Sequence, residues 1–310
     1  MKDDERGWSR RERDGRSTTN LGEGRTPLIR SVRDETLYYK HEGLNPSGSF
    51  KDRGTALTVS KALDEGVERL HVCSSGNAAL SLAVYTRRAG LECVCHVPER
   101  TSESKKQLME ALGATLVEYD GVYEDVFHEL RGKDLDGWNV TPGVSNTSLE
   151  AYEDIAVEIL ERVVPDQVVV PCGNGTNLAG IWRGFEKRGE SPAMIGVQME
   201  GAAPIRKALR EGTSHAVVED PGESLAEGII ASESFNCAEA TEAITASDGR
   251  LEVVTEAELE AGLRELTREG ILAEPTSAVV TPVADRYDGV TVAVVTGSGL
   301  KNYAELRDLC

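Results

Sequence analysis

Short aliphatic, β-branched runs alternate with helix-patterned stretches from residue 70 to residue 295, and this alternation most narrows the folds open to the chain. Strand-like runs fall at residues 70–73, 93–97, 115–118, 138–140, 167–170, 194–199, 251–254 and 290–295. Between them, helical periodicity predicts helices over 77–88, 102–112, 123–130, 149–163, 178–187, around Ile205, 238–245, 256–268 and 275–284. Strands separated by helices read as parallel sheets covered by helices on both faces, an α/β class. The rhythm breaks near Thr141-Pro142-Gly143, which marks a return crossing between two lobes. The division expected is a larger lobe built from 19–51 and 143–310 and a smaller, mobile lobe from 52–142. At 310 residues the chain is longer than one core usually serves. Residues 1–18 are dense in charge and nearly free of aliphatics, so they read as a disordered arm.

Composition removes several classes of partner. Asp and Glu number 53 against 34 Lys and Arg, a formal charge of -19. Phosphate backbones and anionic membranes need the opposite sign. The acid is spread along the chain and lysine is scarce, which reads as a solvating, halophilic-type acidic surface suited to high salt, where screening relieves self-repulsion. An ordinary acidic cytosolic protein is the alternative. The six cysteines form no C-x-x-C pair and sit mostly in apolar runs, so they read as reduced core residues. The histidines show no metal-ligand spacing. No apolar run nears the roughly 20 residues of a membrane span and no signal core opens the chain, so a cytoplasmic location is expected.

Ligands of parallel sheets bind at the carboxyl ends of the strands, so the segments just after the strands carry the functional reading. After 70–73 comes Ser74-Ser75-Gly76-Asn77-Ala78-Ala79, whose hydroxyls and helix N-terminal N–H groups suit a carboxylate. A plain helix cap at Ser75 or Asn77 reads the same residues without a ligand. After 167–170 comes Cys172-Gly173-Asn174-Gly175-Thr176-Asn177, a glycine loop opening a helix and suited to phosphate. It is neither a Walker loop nor G-x-G-x-x-G. After 290–295 comes Thr296-Gly297-Ser298-Gly299, a strand-end hydroxyl that can meet a flat ligand edge-on. Ahead of all three lies Leu44-Asn45-Pro46-Ser47-Gly48-Ser49-Phe50-Lys51-Asp52-Arg53-Gly54, with Lys51 behind a turn-forming cluster. A lysine in a dry pocket has a depressed pKa and becomes a nucleophilic amine. Each signal is weak alone. Together, a lysine for an aldehyde, a phosphate cradle, a carboxylate cradle and a strand-end hydroxyl make a pyridoxal phosphate site.

From about residue 22 to residue 303 the chain resembles the fold-type II pyridoxal phosphate enzymes, and within them the threonine synthases. Gly22-Glu23-Gly24-Arg25-Thr26-Pro27-Leu28 looks like the family's entry motif, and residues 45–54 are similar to its Schiff-base lysine motif. Gly196-Val197-Gln198-Met199-Glu200-Gly201-Ala202-Ala203-Pro204-Ile205 and Gly270-Ile271-Leu272-Ala273-Glu274-Pro275-Thr276-Ser277-Ala278 resemble segments typical of threonine synthases. The resemblance implies that Lys51 forms the Schiff base and later moves the substrate's α-proton. It implies that Asn77 meets the cofactor's 3-hydroxyl, and that Ser74, Ser75, Gly76 and Ala78 hold the substrate carboxylate. Gly173, Asn174, Gly175, Thr176 and Asn177 would hold the cofactor phosphate, and Thr296 would face the pyridine nitrogen. The chain departs from the pattern in three ways. It has no cysteine-rich zinc ribbon, Ala78 follows the loop asparagine where threonine is usual, and Ser148 stands where an arginine usually binds the substrate phosphate.

The activity implied is a lyase of amino-acid biosynthesis that converts O-phosphohomoserine and water to threonine and phosphate. The alternatives are a β-eliminating or β-replacing enzyme on serine derivatives, and a non-catalytic protein that binds pyridoxal phosphate or an amino acid. If Ser148 has displaced the usual arginine, Lys105 or Arg53 brought in by lobe closure would be the substitute cation. A small amino-acid substrate is the expected partner, with neither nucleic acid nor membrane, and with self-association to a homodimer left open.

Overall fold

The computed structural model describes residues 19–302. Strands β1 (Leu28–Arg30) and β2 (Leu37–His41) lead into helix α1 (Lys51–Asp64). A β/α series follows: β3 (Arg69–Cys73), α2 (Asn77–Ala89), β4 (Glu92–Pro98), α3 (Glu103–Ala111), β5 (Thr115–Tyr119), α4 (Tyr123–Arg131) and β6 (Trp138–Asn139). The second series is α5 (Thr147–Leu160), β7 (Gln167–Pro171), α6 (Thr176–Glu186), β8 (Ala193–Met199), α7 (Pro204–Glu211), α8 (Cys237–Ala246), β9 (Arg250–Val254), α9 (Glu256–Arg268), α10 (Pro275–Ala278), α11 (Thr281–Ala284) and β10 (Thr291–Val295). The strands make two sheets, one ordered β1-β2-β10-β7-β8-β9 and one ordered β5-β4-β3-β6. Every pairing is parallel except β1 with β2.

The larger sheet is buried on both faces, which is why its strands are continuous apolar runs. Along β7, Val168 and Val170 point to the layer of α5, α6 and α8, while Val169 points to the layer of α9, α10 and α11. Along β10, Val292 and Val294 face the first layer, and Ala293 and Val295 the second. The smaller sheet buries Leu70, Val72, Cys93, Cys95 and Val97 against apolar faces of α1 and α2 and against Met109 of α3. The five described cysteines are all buried with free thiols. No described helix is long and apolar enough to cross a membrane. The expected arm at 1–18 lies outside the described residues.

Three elements differ from the sequence reading. β2 is one: its Leu-Tyr-Tyr-Lys-His run lacks the expected alternation because Lys40 and His41 are buried. α1 is another, rich in residues that weaken helices, such as Gly54, Thr55, Thr58 and Val59. Packing on α2 and α5 supplies what propensity does not. The third is the helix expected over 275–284, which is two short pieces. Pro282 has no N–H to give the carbonyl of Ala278, and its ring crowds that carbonyl.

A buried ion cluster fixes the start of α1. Arg53 bonds both oxygens of Glu42, at 2.7 and 2.8 Å, and both oxygens of Glu158, at 2.7 and 2.8 Å. Lys40 Nζ donates to Glu158 at 2.5 Å and to the Thr26 carbonyl at 2.6 Å. Two cations and two carboxylates thus neutralise one another where β2, α1 and α5 meet. Arg53 is 6% exposed and fully committed, so it is no substitute cation for a substrate.

Candidate active site

The loop before Lys51 owes its shape to its own polar residues. Asp52 accepts from the Ser47 amide at 2.6 Å, from the Ser47 hydroxyl at 2.5 Å and from Ser81 Oγ of α2 at 2.6 Å. Asn45 donates to the Glu42 carbonyl at 2.8 Å and accepts from the Gly24 amide at 2.9 Å. The loop is stitched to the segment after β10, with Phe50 N–H on the Thr296 carbonyl at 3.0 Å and Ser298 N–H on the Gly48 carbonyl at 2.9 Å. Lys51, the first residue of α1, is thereby set beside the carboxyl end of β10. Its Nζ lies 4.7 Å from the centre of the Phe50 ring. Burial brings its amine down to a pKa of about 8, against a smaller upward pull from the Glu274 carboxylate.

Lys51 opens onto a cavity of about 590 Å³ between the carboxyl ends of β3, β7 and β10. Its wall contains Ser74, Ser75, Gly76, Asn77 and Ala78 after β3, then Gly173, Asn174, Gly175, Thr176 and Asn177 after β7, and Thr296 after β10. Neither Ser75 nor Asn77 serves as a plain cap, because the N-cap of α2 is Gly76 and no side chain caps it. Asn77 instead donates its amide to Glu274, at 2.9 and 3.1 Å, and accepts from Lys301 Nζ. Thr296 Oγ1 lies 2.9 Å from Ser277 Oγ, a pair of neutral hydroxyls.

The loop after β7 fits an anion. Gly175 has φ +86°, and a Cβ there would stand 2.7 Å from that of Ala240, so only glycine makes the turn. The first N–H groups of α6 have no intrahelical acceptor. Asn177 is 6% exposed, and neither Nδ2 nor Oδ1 of its amide has a protein partner. An unpaired amide there leaves two donors and an acceptor free for a ligand. The Thr176 hydroxyl is engaged elsewhere, donating to Asn236 Oδ1 at 2.7 Å, which leaves its backbone N–H to face a ligand.

Three charged groups of the wall were not assigned a role from the sequence. Glu274 is 7% exposed, and burial raises its pKa, opposed by Lys301, Asn77 and Lys51. Lys301 Nζ bonds the Gly48 carbonyl at 3.0 Å, and burial lowers its pKa. Glu227 lies across the cavity, ion-paired to Lys105 of α3. Glu274 fell within a segment noted for its resemblance and Lys301 just after the Thr296 loop, but neither neighbourhood signals a buried charge. Ser148 does not line this cavity. It borders a small adjoining space of about 20 Å³ among α1, α2 and α5, which shares Lys51, Ala78 and Pro142 with the larger cavity.

The family model described as pyridoxal-phosphate dependent enzyme matches residues 19–297. The threonine synthase of Methanocaldococcus jannaschii is 33% identical over 317 residues, covering 94% of this chain and 78% of that protein. The processed form of threonine deaminase isoform 2 from Solanum lycopersicum superposes with a TM-score of 0.79 at 23% identity, covering 92% of this chain and 88% of that one. A fungal L-serine ammonia-lyase from Rhizomucor miehei, at 20% identity, superposes with a TM-score of 0.80, covering 91% of this chain and 97% of that one. At these identities the two structures bear on the fold alone.

Proposed function

The chain belongs to the pyridoxal-phosphate dependent enzymes, and from that premise we propose that it is a threonine synthase, converting O-phosphohomoserine and water to threonine and phosphate. The observation that carries the reading is one cavity holding an enclosed lysine, an anion loop with the orphaned Asn177 amide, and the Thr296 hydroxyl. When bound, the cofactor supplies a conjugated pyridine ring that takes up the electron pair left as a proton leaves the amino acid.

Lys51 Nζ would hold the cofactor through its aldehyde carbon, and as a free amine it would carry the substrate's α-proton. A pKa near 8 keeps a useful fraction of that amine uncharged at neutral pH. The amides of 173–177 and the Asn177 side chain would hold the cofactor phosphate, and Asn77 would meet its 3-oxygen. Ser74, Ser75, Gly76 and Ala78, at the N-terminus of α2, hold the substrate carboxylate. Thr296 presents a neutral hydroxyl and no counter-charge to the ring nitrogen. A ring left without a counter-charge there would favour prompt loss of the leaving group, and water would supply the product hydroxyl. We take residues 52–142 as a moving lobe against 19–51 and 143–310. In support, the four-stranded sheet lies wholly inside that span.

Ser148 favours a second reading, elimination or replacement on a serine derivative, because the arginine usual for substrate phosphate is absent there. Product analysis separates the two. Protein loaded with pyridoxal phosphate should release threonine and phosphate in equal amounts from O-phosphohomoserine, and Lys51→Ala should release neither. A keto acid and ammonia from serine, with no threonine from O-phosphohomoserine, would establish the second reading.

A further inference from the structure

The segment from Ser232 to Asn236 carries no motif, yet it braces the glycine loop after β7. Ser234 Oγ donates to the Gly173 carbonyl at 2.6 Å, and the Asn236 N–H donates to the Asn174 carbonyl at 3.0 Å. Asn236 Oδ1 takes the Thr176 hydroxyl at 2.7 Å. Two buried residues thus hold the loop at three points. Phe235, between them, faces the other way. Its ring stacks on Phe127 of α4, with centres 3.4 Å apart and planes 9° from parallel. Glu124 accepts from the Ser232 N–H at 2.8 Å, His128 meets Glu233, and the Tyr123 hydroxyl is hydrogen-bonded to the Asn174 side chain. Tyr123, Glu124, Phe127 and His128 stand at i, i+1, i+4 and i+5, one face of one helix. α4 packs on β3 and β4 of the smaller sheet, whereas the loop leaves β7 of the larger one.

We propose that this face of α4 positions the grip on the cofactor phosphate: Phe127 and Glu124 hold residues 232–236 in place, and these hold the amides of 173–177 in the shape that binds an anion. The proposal rests on the assignment of 173–177 to the cofactor phosphate and holds whatever the substrate. Glu124, Phe127 and Phe235 do not line the cavity, so they act on the cofactor only through the loop, as positioning residues. Backbone N–H groups bind an oxyanion tightly only when several converge on one point, so a small shift of the loop weakens several bonds at once. The coupling is reciprocal: what α4 adds to phosphate binding, the bound phosphate adds to the docking of α4. A filled loop therefore ties the smaller sheet to the larger.

The test titrates the full chain, freed of cofactor, with pyridoxal phosphate and with pyridoxal, which can reach Lys51 but has no phosphate to be held. Phe127→Leu removes the stack at little loss of volume, and Glu124→Ala removes the acceptor for Ser232. Each should weaken pyridoxal phosphate roughly threefold to tenfold and leave pyridoxal as in the wild type. Glu124→Gln keeps an acceptor oxygen and should restore most of the loss. In the wild type, hydrogen exchange should show the amides of α4 protected by pyridoxal phosphate and not by pyridoxal. Equal weakening of the two ligands would mean a general loosening and would overturn the proposal, as would exchange in α4 that both ligands leave unchanged. Pyridoxal phosphate affinity within twofold of wild type in both variants, with the wild type still preferring the phosphate form, would overturn the proposal alone. A wild type that binds both ligands equally would overturn the loop assignment, and the proposal with it.

Discussion

Lys51 takes its reactivity from two neighbours acting in opposite directions. Burial drives its pKa down to about 8, and the Glu274 carboxylate pulls it partway back. Below that value the ammonium dominates and cannot attack an aldehyde; above it the amine is free. Attachment of pyridoxal phosphate to the apoprotein should therefore speed up roughly tenfold per pH unit below 8 and level off above it. Glu274→Gln removes the upward pull, so the midpoint of that profile should move to lower pH. Stopped-flow absorbance across pH 6–10 gives both midpoints. An unmoved or raised midpoint in the variant would show that Glu274 does not act on Lys51. Asn77 shares the same carboxylate, which with Lys301 fixes which end of its amide is the donor. The variant should also loosen the cofactor.

At the scale of elements, the contact between α1 and α5 governs what position 148 can accept. A Cβ on Gly54 would stand 2.6 Å from Ser148 Oγ, so the helices approach at a glycine and a serine. The space behind them is only about 20 Å³. Phe50 packs on Tyr152 of α5 with ring centres 5.0 Å apart, so a shift of α5 is felt next to Lys51. Ser148→Arg should overpack this contact and lower stability by about 1–3 kcal/mol, with poorer cofactor loading. Urea unfolding and cofactor titration together would show it. An unchanged urea midpoint with improved O-phosphohomoserine turnover would mean that the arginine finds its way into the larger cavity.

Across the whole molecule, the Arg53 cluster joins segments that are far apart in the chain. Glu42 is fully buried; burial alone would raise its pKa, but Arg53 and Lys40 hold the carboxyl below its ordinary value. Burial likewise works against Glu158, and Arg53 and Lys40 bring it down to about 2. A carboxylate with a lowered folded pKa contributes stability above its unfolded value of 4.5 and loses it as pH falls towards 2. Arg53→Met leaves two carboxylates to share Lys40 as the one remaining cation of the cluster and should cost about 3–5 kcal/mol at pH 7. The deficit should shrink as the pH falls from 4.5 towards 2, because protonation removes the stranded charge. Urea unfolding of both proteins at pH 7 and pH 3 measures it. A deficit that stays constant across that range would assign the loss to packing.

Where burial follows from neighbouring residues, the sequence alone was informative. Runs such as Val168-Val169-Val170 carry apolar side chains to both faces, so they declare a doubly covered sheet without knowledge of its partners. The glycine and hydroxyl loops after β7 and β10 are likewise local, because neighbouring strands of one parallel sheet end side by side, whereas the loop after β3 belongs to the other sheet and meets them only through the packing of the two sheets. β2 was invisible for the opposite reason. Its Lys40 is buried only because Glu158 arrives from 118 positions away. The split between α10 and α11 was legible in Pro282, though helical periodicity alone runs through it. Only the tertiary structure decided the charges of the site. It tied Arg53 into a closed cluster, put Ser148 outside the cavity, set Glu274 and Lys301 against Asn77, and carried Glu227 across the cleft to Lys105. Charges separated by a hundred residues or more leave no periodic trace, since what they do depends on which partner the fold delivers and how much water it leaves between them.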